Sequence, residues 1–284
     1  MSQERIRHRC GPLPLVLAAL VLPAAVCLDA IGLKPETTAV FDRYVALTEQ
    51  RIDAETLRSQ AFLSIDTLSQ RERAEMQRGL RDGGVVIKRL ETRDGSKSID
   101  APDALIHHWM GVVFVPGVRL DSAVALMEDY DRHSQVFAPS IVRSKTLERT
   151  GSHFRVALRF HVKKVIAVTM DTENEADFLR PAPDRAYSRI RSTRIVEIAD
   201  AGTAREHPKP EGQENGFMWR LNTYWRFLER DGGTYIQCES VTLSRDVPFA
   251  FRWLIAPFVT QVPKESLTFM LERAKAELLK ENTR

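Results

Sequence analysis

The chain has 284 residues, 43% hydrophobic and 28% charged, with 14 glycines and 14 prolines, proportions that exclude disordered, fibrous and collagen-like architectures. Lys+Arg of 41 against Asp+Glu of 38 leaves a net charge of +3, of which Arg5, Arg7 and Arg9 against Glu4 supply +2, so the body of the chain is near neutral. It has no basic run of five residues and no concentrated basic surface to meet phosphates, and a nucleic-acid partner is not expected.

The segment Leu13–Leu28 (LPLVLAALVLPAAVCL) is apolar over 16 residues, follows three arginines and ends among Ala24, Ala25 and Ala30, which is the order of an export signal. A spanning helix needs about 20 apolar residues. This run is shorter and contains Pro14 and Pro23, so export to the periplasm with residues 1–30 as the signal is expected. N-terminal anchoring in the membrane is the alternative, and lipidation at Cys27 is disfavoured because Ala24 and Val26 stand where a leucine-like and a small residue belong. Cleavage past Cys27 leaves Cys238 alone, which excludes an internal disulfide.

Residues 31–84 form a helical extension. Within 35–82, Val40, Tyr44 and Leu47 recur at helical spacing, and a charged stretch, Ser69–Arg81, ends at Gly83-Gly84. From Val85 the period changes to two, with strands over Val85–Leu90 and Leu105–Val115 on either side of a turn at Asp94-Gly95. Helical spacing returns over Leu120–Phe137 and stops at Pro139. In Phe154–Val162 the residues Phe154, Val156, Leu158, Phe160 and Val162 alternate with polar ones, giving one buried and one wet face. Further strands are expected over Val165–Met170, Tyr187–Ile198, Phe217–Glu229 and Thr234–Arg245, the last two joined across Asp231-Gly232-Gly233. Ala201–Asn215 is a polar surface loop. The C-terminal stretch Phe249–Glu281 is expected to break at Pro257 and Pro263, after which Leu267, Leu271, Ala274 and Leu278 share a helix face.

This order of elements, with Leu126-Met-Glu-Asp-Tyr-Asp, Pro139, Ile141, Ser144 and Leu147-Glu148, resembles START-like and polyketide-cyclase-like (SRPBCC) proteins over residues 104–281. Ile106-His-His-Trp and Tyr224-Trp-Arg-Phe resemble an exported bacterial branch of that superfamily. The resemblance implies an α+β helix-grip fold over residues 85–284, in which a curved antiparallel sheet wraps a long C-terminal helix. It also implies a cavity between them for a lipid, sterol, polyketide or other apolar ligand.

An even-numbered hairpin loop at Asp231 sorts the last two strands by face. Trp219, Leu221, Thr223, Trp225 and Phe227 fall with Ile236, Cys238, Ser240 and Thr242, and Arg220, Asn222, Tyr224 and Arg226 with Gln237 and Glu239. Aromatics opposite small hydroxyl and thiol side chains leave volume unfilled. Trp219, Trp225, Phe227, Cys238 and Ser240, with Phe160 from the earlier strand, are therefore candidate ligand-wall residues, and a helix filling the same volume is the alternative. Arg194, if it shares the side of Ile190, Val196 and Ile198, brings a charge inward that needs a carboxylate or a ligand anion. Arg226 and Glu239 are within cross-strand reach, either as a surface ion pair or as an inward receptor for an acidic head group. His107 and His108 point to opposite faces and cannot share a metal ion, so one of them faces the cavity.

No metal, cofactor or catalytic residue is assigned: zinc-ligand spacings, a GxSxG elbow and phosphate-cradling glycines are all lacking. The expectation is an exported protein binding an apolar or amphipathic, lipid-like molecule, with peripheral membrane contact and with Arg194 or His107 orienting the polar end. Two alternatives stay open: a cyclase- or hydrolase-type enzyme using His107 or Glu239, and a structural module without ligand.

Overall fold

The computed structural model of the chain describes residues 32–57, 61–163, 167–246 and 252–283, with the helical backbone alone described for 252–260. The export signal expected over 1–30 lies outside these residues. In chain order the elements are α1 (Pro35–Thr56), a 3-10 turn (Ser64–Thr67), α2 (Gln70–Arg81), β1 (Val86–Arg89), β2 (Arg93–Asp94), β3 (Lys97–Ser98) and β4 (Ala104–Pro116). Then follow α3 (Leu120–Glu128), a 3-10 turn (Tyr130–Arg132), α4 (His133–Val136), β5 (Ile141–Thr150), β6 (His153–Lys163), β7 (Ala167–Ala182) and β8 (Arg185–Ala199). β9 (His207–Pro208), β10 (Arg220–Arg230), β11 (Gly233–Arg245) and α5 (Arg252–Asn282) complete the chain.

Consecutive hairpins build a curved antiparallel sheet in the order β1-β4-β11-β10-β8-β7-β6-β5, with β9 beside β8. The last strand, β11, thus returns beside β4. The β10–β11 hairpin turns on Asp231 and Gly232, both at positive φ (62° and 75°), as a two-residue loop requires, and Trp225 stands opposite Cys238. The even-loop sorting of faces is therefore the observed one.

Helix α5 lies along the inner face of the sheet. Its Leu267, Leu271, Ala274 and Leu278 join Val113, Val115, Trp225, Phe227 and Ile236 in the main core, with α3 and α4 closing one end. Close approach to β4 depends on Gly111, where a Cβ would run into a Leu271 methyl and come within 2.7 Å of Ile87 Cδ1. The chain enters α5 from the Ala104/Arg245 end of the sheet and leaves it near Gly117, so the helix runs in the same direction as β4. α5 spans both Pro257 and Pro263, correcting the expected breaks. Each internal proline costs about 3 kcal/mol, and burying three leucines at about 1.5–3 kcal/mol each offsets the two together.

The N-terminal extension packs on the opposite, outer face. α1 buries Thr37, Phe41, Tyr44, Thr48 and Ile52 rather than the Val40, Tyr44 and Leu47 stripe expected. Two threonines belong to the buried face because their hydroxyls bond to the neighbouring chain, Thr37 to the Pro102 carbonyl and Thr48 to Thr92. α2 starts at Ser69 with a capping box to Glu72 and ends at Gly83, φ 96°, as its sequence implied. Strand β7 runs well past Met170, to Ala182, because Thr172, Asn174, Ala176 and Phe178 alternate inward while the acids between them face water.

Candidate functional site

Cross-strand pairing arranges the inner face in transverse rows. Phe178, Ser188, Trp225, Cys238 and Gly111 form one. Ala176, Ile190, Thr223, Ser240 and Trp109 form the next. Beyond it stand Asn174 and Ser192 on one side and Leu221, Thr242 and His107 on the other. The first row is sealed by Leu267 and Leu271: Ser188, Trp225 and Cys238 are all buried. In the second and third rows Trp109, Ile190, Leu221, Thr223, Ser240 and Thr242 remain half-buried. These rows lie toward the Ala104/Arg245 end, under the N-terminal part of α5.

Among the expected wall residues, Trp225, Phe227 and Cys238 lie in the main core, Phe160 packs against it, and Ser240 sits beside Trp109 in the open second row. Burial and the nearby Glu239 push the Cys238 thiol well up, so it is a neutral packing group. His107 is on the inner face, its Nε2 2.9 Å from Ser244 Oγ. Burial, with the Arg89 charge beside it, brings its pKa down to about 4, so the ring is neutral at neutral pH.

Two expectations are corrected. Arg194 does not face inward. The register steps from Glu173–Arg194 to Asn174–Ser192, so Thr193 is an extra residue and reverses the alternation beyond it. Arg194 thereby joins Arg189 and Arg191 on the outer face, where it meets Glu173 at 3.4 Å with its side chain 64% exposed. Trp219 precedes the first residue of β10, so the strand alternation does not reach it, and it packs against the outer cluster of Tyr224, Val241 and Leu243.

Arg226 and Glu239 are buried on the outer face, beneath α1, and hold separate partners rather than each other. Arg226 donates to Glu55 at 2.7 Å and to the Phe62 carbonyl at 2.8 Å. Glu239 Oε1 accepts from Arg51 and, at 2.7 Å, from His108 Nε2. The Thr92 amide donates to Tyr44 Oη, which lies 2.9 Å from His108 Nδ1, so the ring is held from both nitrogens. Burial works to raise the Glu239 pKa, but the His108 hydrogen bond and the Arg51 charge hold it below the ordinary range. Glu239 and His107 lie on opposite faces of the sheet and cannot act on one substrate.

A shallow outer depression of about 200 Å³ over β5–β8 is lined by Arg143, Lys145, Arg159, Asp171, Glu173 and Arg194. Arg159 is held bidentately by Asp171 at 2.5 and 2.6 Å and also by Glu206. The charges there largely satisfy one another, and the depression lies on the face away from α5. Trp109, Asn174, Ser188 and Ser192 were overlooked as inner-face residues; the period-two pattern through His107-Trp109 and Thr172-Asn174-Ala176 carried the signal.

A curved antiparallel sheet with β4 beside β11 and a long C-terminal helix along its inner face is the START-like helix-grip fold. No protein-family model and no curated protein sequence matches the chain. Solved structures similar to it include the Zhui aromatase/cyclase from Streptomyces sp. R1128, at 14% identity and TM-score 0.44, covering 63% of this chain and 97% of that one. Human STARD10 matches at 8% identity and TM-score 0.43, covering 76% and 83%. A STAR-related lipid transfer protein from Xanthomonas axonopodis matches at 16% and 0.39, covering 62% and 96%. At these scores the likenesses add no weight, and the assignment rests on the strand order and the seat of α5.

Proposed function

We propose that the protein is an exported carrier or receptor for an apolar or amphipathic small molecule of lipid-like character, held between the inner sheet face and the N-terminal part of α5. The observation that carries this is the half-burial of Trp109, Ile190 and Leu221 on the face turned toward α5, side by side with Thr223 and Ser240. Apolar walls with a few polar groups are the usual make-up of a small-molecule site. Export is supported by the arginines and the 16-residue apolar run before residue 30. Affinity would come from apolar burial at about 25 cal/mol per Å².

Replacing Thr223 by Phe places a ring between Ile190 and Ser240, its two cross-strand neighbours. The variant is expected to keep the parent's thermal stability and to lose retention of bound lipid, as read by solvent extraction and mass spectrometry. A destabilised variant that retains as much lipid as the parent would show that these rows are already filled by the chain itself.

A further inference from the structure

The sheet sorts charge by face. Arg155, Arg159, Arg189, Arg191 and Arg194 stand with their acidic partners on the outer side, and Arg226 is spent on Glu55 there. The open rows of the inner side present Thr223, Ser240 and Thr242, and the buried Asn174, Ser192 and His107 that continue them are bonded to Thr172, Leu221 and Ser244; all are uncharged groups. Two further inner hydroxyls, Ser188 Oγ at 1% and Tyr130 Oη at 2% residue exposure, have no hydrogen-bond partner among the described residues. The neutral His107 ring supplies no counter-charge. Glu197, opposite Met170 on this face, is an acid already spent on the Asn215 and Phe217 amides and on Lys209.

From this arrangement we infer that the ligand is an uncharged amphiphile, whose hydroxyl or carbonyl groups meet the neutral polar side chains of the inner face, rather than a fatty acid or phosphate-bearing lipid. The inference rests on the binding function proposed above. An ionised head group drawn onto these rows would lose its hydration with no unpaired cation among their described strand residues to compensate, whereas a hydroxyl or ester carbonyl exchanges water for Thr and Ser partners at little cost. Two arginines border the face at its edges. Arg89, opposite Trp109 on β1, is exposed, and Arg149, opposite Phe154 on β5, is bonded to Glu128. Both stand in solvent, where a single ion pair contributes little.

The test uses the full chain with two probes of the same acyl chain, 1-monooleoylglycerol and oleate at pH 8, and follows binding by tryptophan fluorescence and by retention through gel filtration. Monooleoylglycerol is expected to bind about tenfold more tightly than oleate. Arg89→Gln should leave that affinity unchanged, and Thr223→Val combined with Ser240→Ala should remove most of the preference while leaving binding in place. Oleate binding as tightly as the glyceride or more so, or oleate affinity that collapses in Arg89→Gln, would overturn the inference and leave the binding function standing. Retention of neither probe would overturn both.

Discussion

His107 and His133 are interior imidazoles whose burial, reinforced at His107 by Arg89, brings both pKa values from 6.5 to about 4. The unfolded chain takes up these protons near pH 6.5 and the folded chain only near pH 4, so their contribution to stability is complete above about pH 7 and is lost as pH falls toward 4. Each is worth roughly 3 kcal/mol across that window. Urea midpoints measured from pH 7.5 to 4 should fall accordingly, and His133→Gln, which loses the hydrogen bond to the Leu126 carbonyl and the ring contacts with Tyr130 and Phe137, should lower the midpoint at pH 7.5 and flatten about half of the slope. A parent protein with the same midpoint at pH 7 and pH 4.5 would contradict this. Strand alternation alone assigns the two adjacent histidines of β4 to opposite faces. Arg194 was misplaced for a reason equally local: one extra residue, Thr193, inverts every face beyond it, and nothing in the composition of Ser192-Thr193-Arg194 marks a bulge.

Elements with a strong period or a distinct cap were legible in the sequence: α2 from its Ser69–Glu72 box, β6 from its alternation, and the β10–β11 hairpin from Asp231-Gly232. Those whose character is set by neighbours were not. The second half of β7 extends the strand past Met170 because Thr172, Asn174, Ala176 and Phe178 are uncharged and turn inward, and α5 runs through two prolines because its leucines have a sheet to bury against. The seat of α1 on the outer face was likewise invisible, since Arg51, Glu55 and Thr48 meet partners far away in the chain. The approach of α5 to β4 hangs on Gly111. Substitution by Ala should destabilise the fold by about 1–3 kcal/mol through overpacking against Leu271 and Ile87. A chemical-denaturation curve unchanged within about 0.5 kcal/mol would mean that α5 is free to shift away from the sheet.

For the molecule as a whole, the helix grip separates two chemistries by the thickness of one sheet. Its outer face is tied down by ion pairs and by the extension, with Arg226 and Glu239 each neutralised beneath α1. Its inner face is closed at one end by Leu267, Leu271 and Leu278 and left half open at the other, around Trp109 and Thr223. The extension therefore braces the back of the sheet and does not cover the inner rows, a division of labour that residue patterns alone could not assign. The central claim is that those rows hold a small molecule. Its most direct test is native mass spectrometry of the purified full chain after exposure to a total lipid extract and gel filtration. The account predicts a discrete adduct of lipid mass at one per chain, absent from Thr223→Phe; the bare polypeptide mass in both proteins would contradict it.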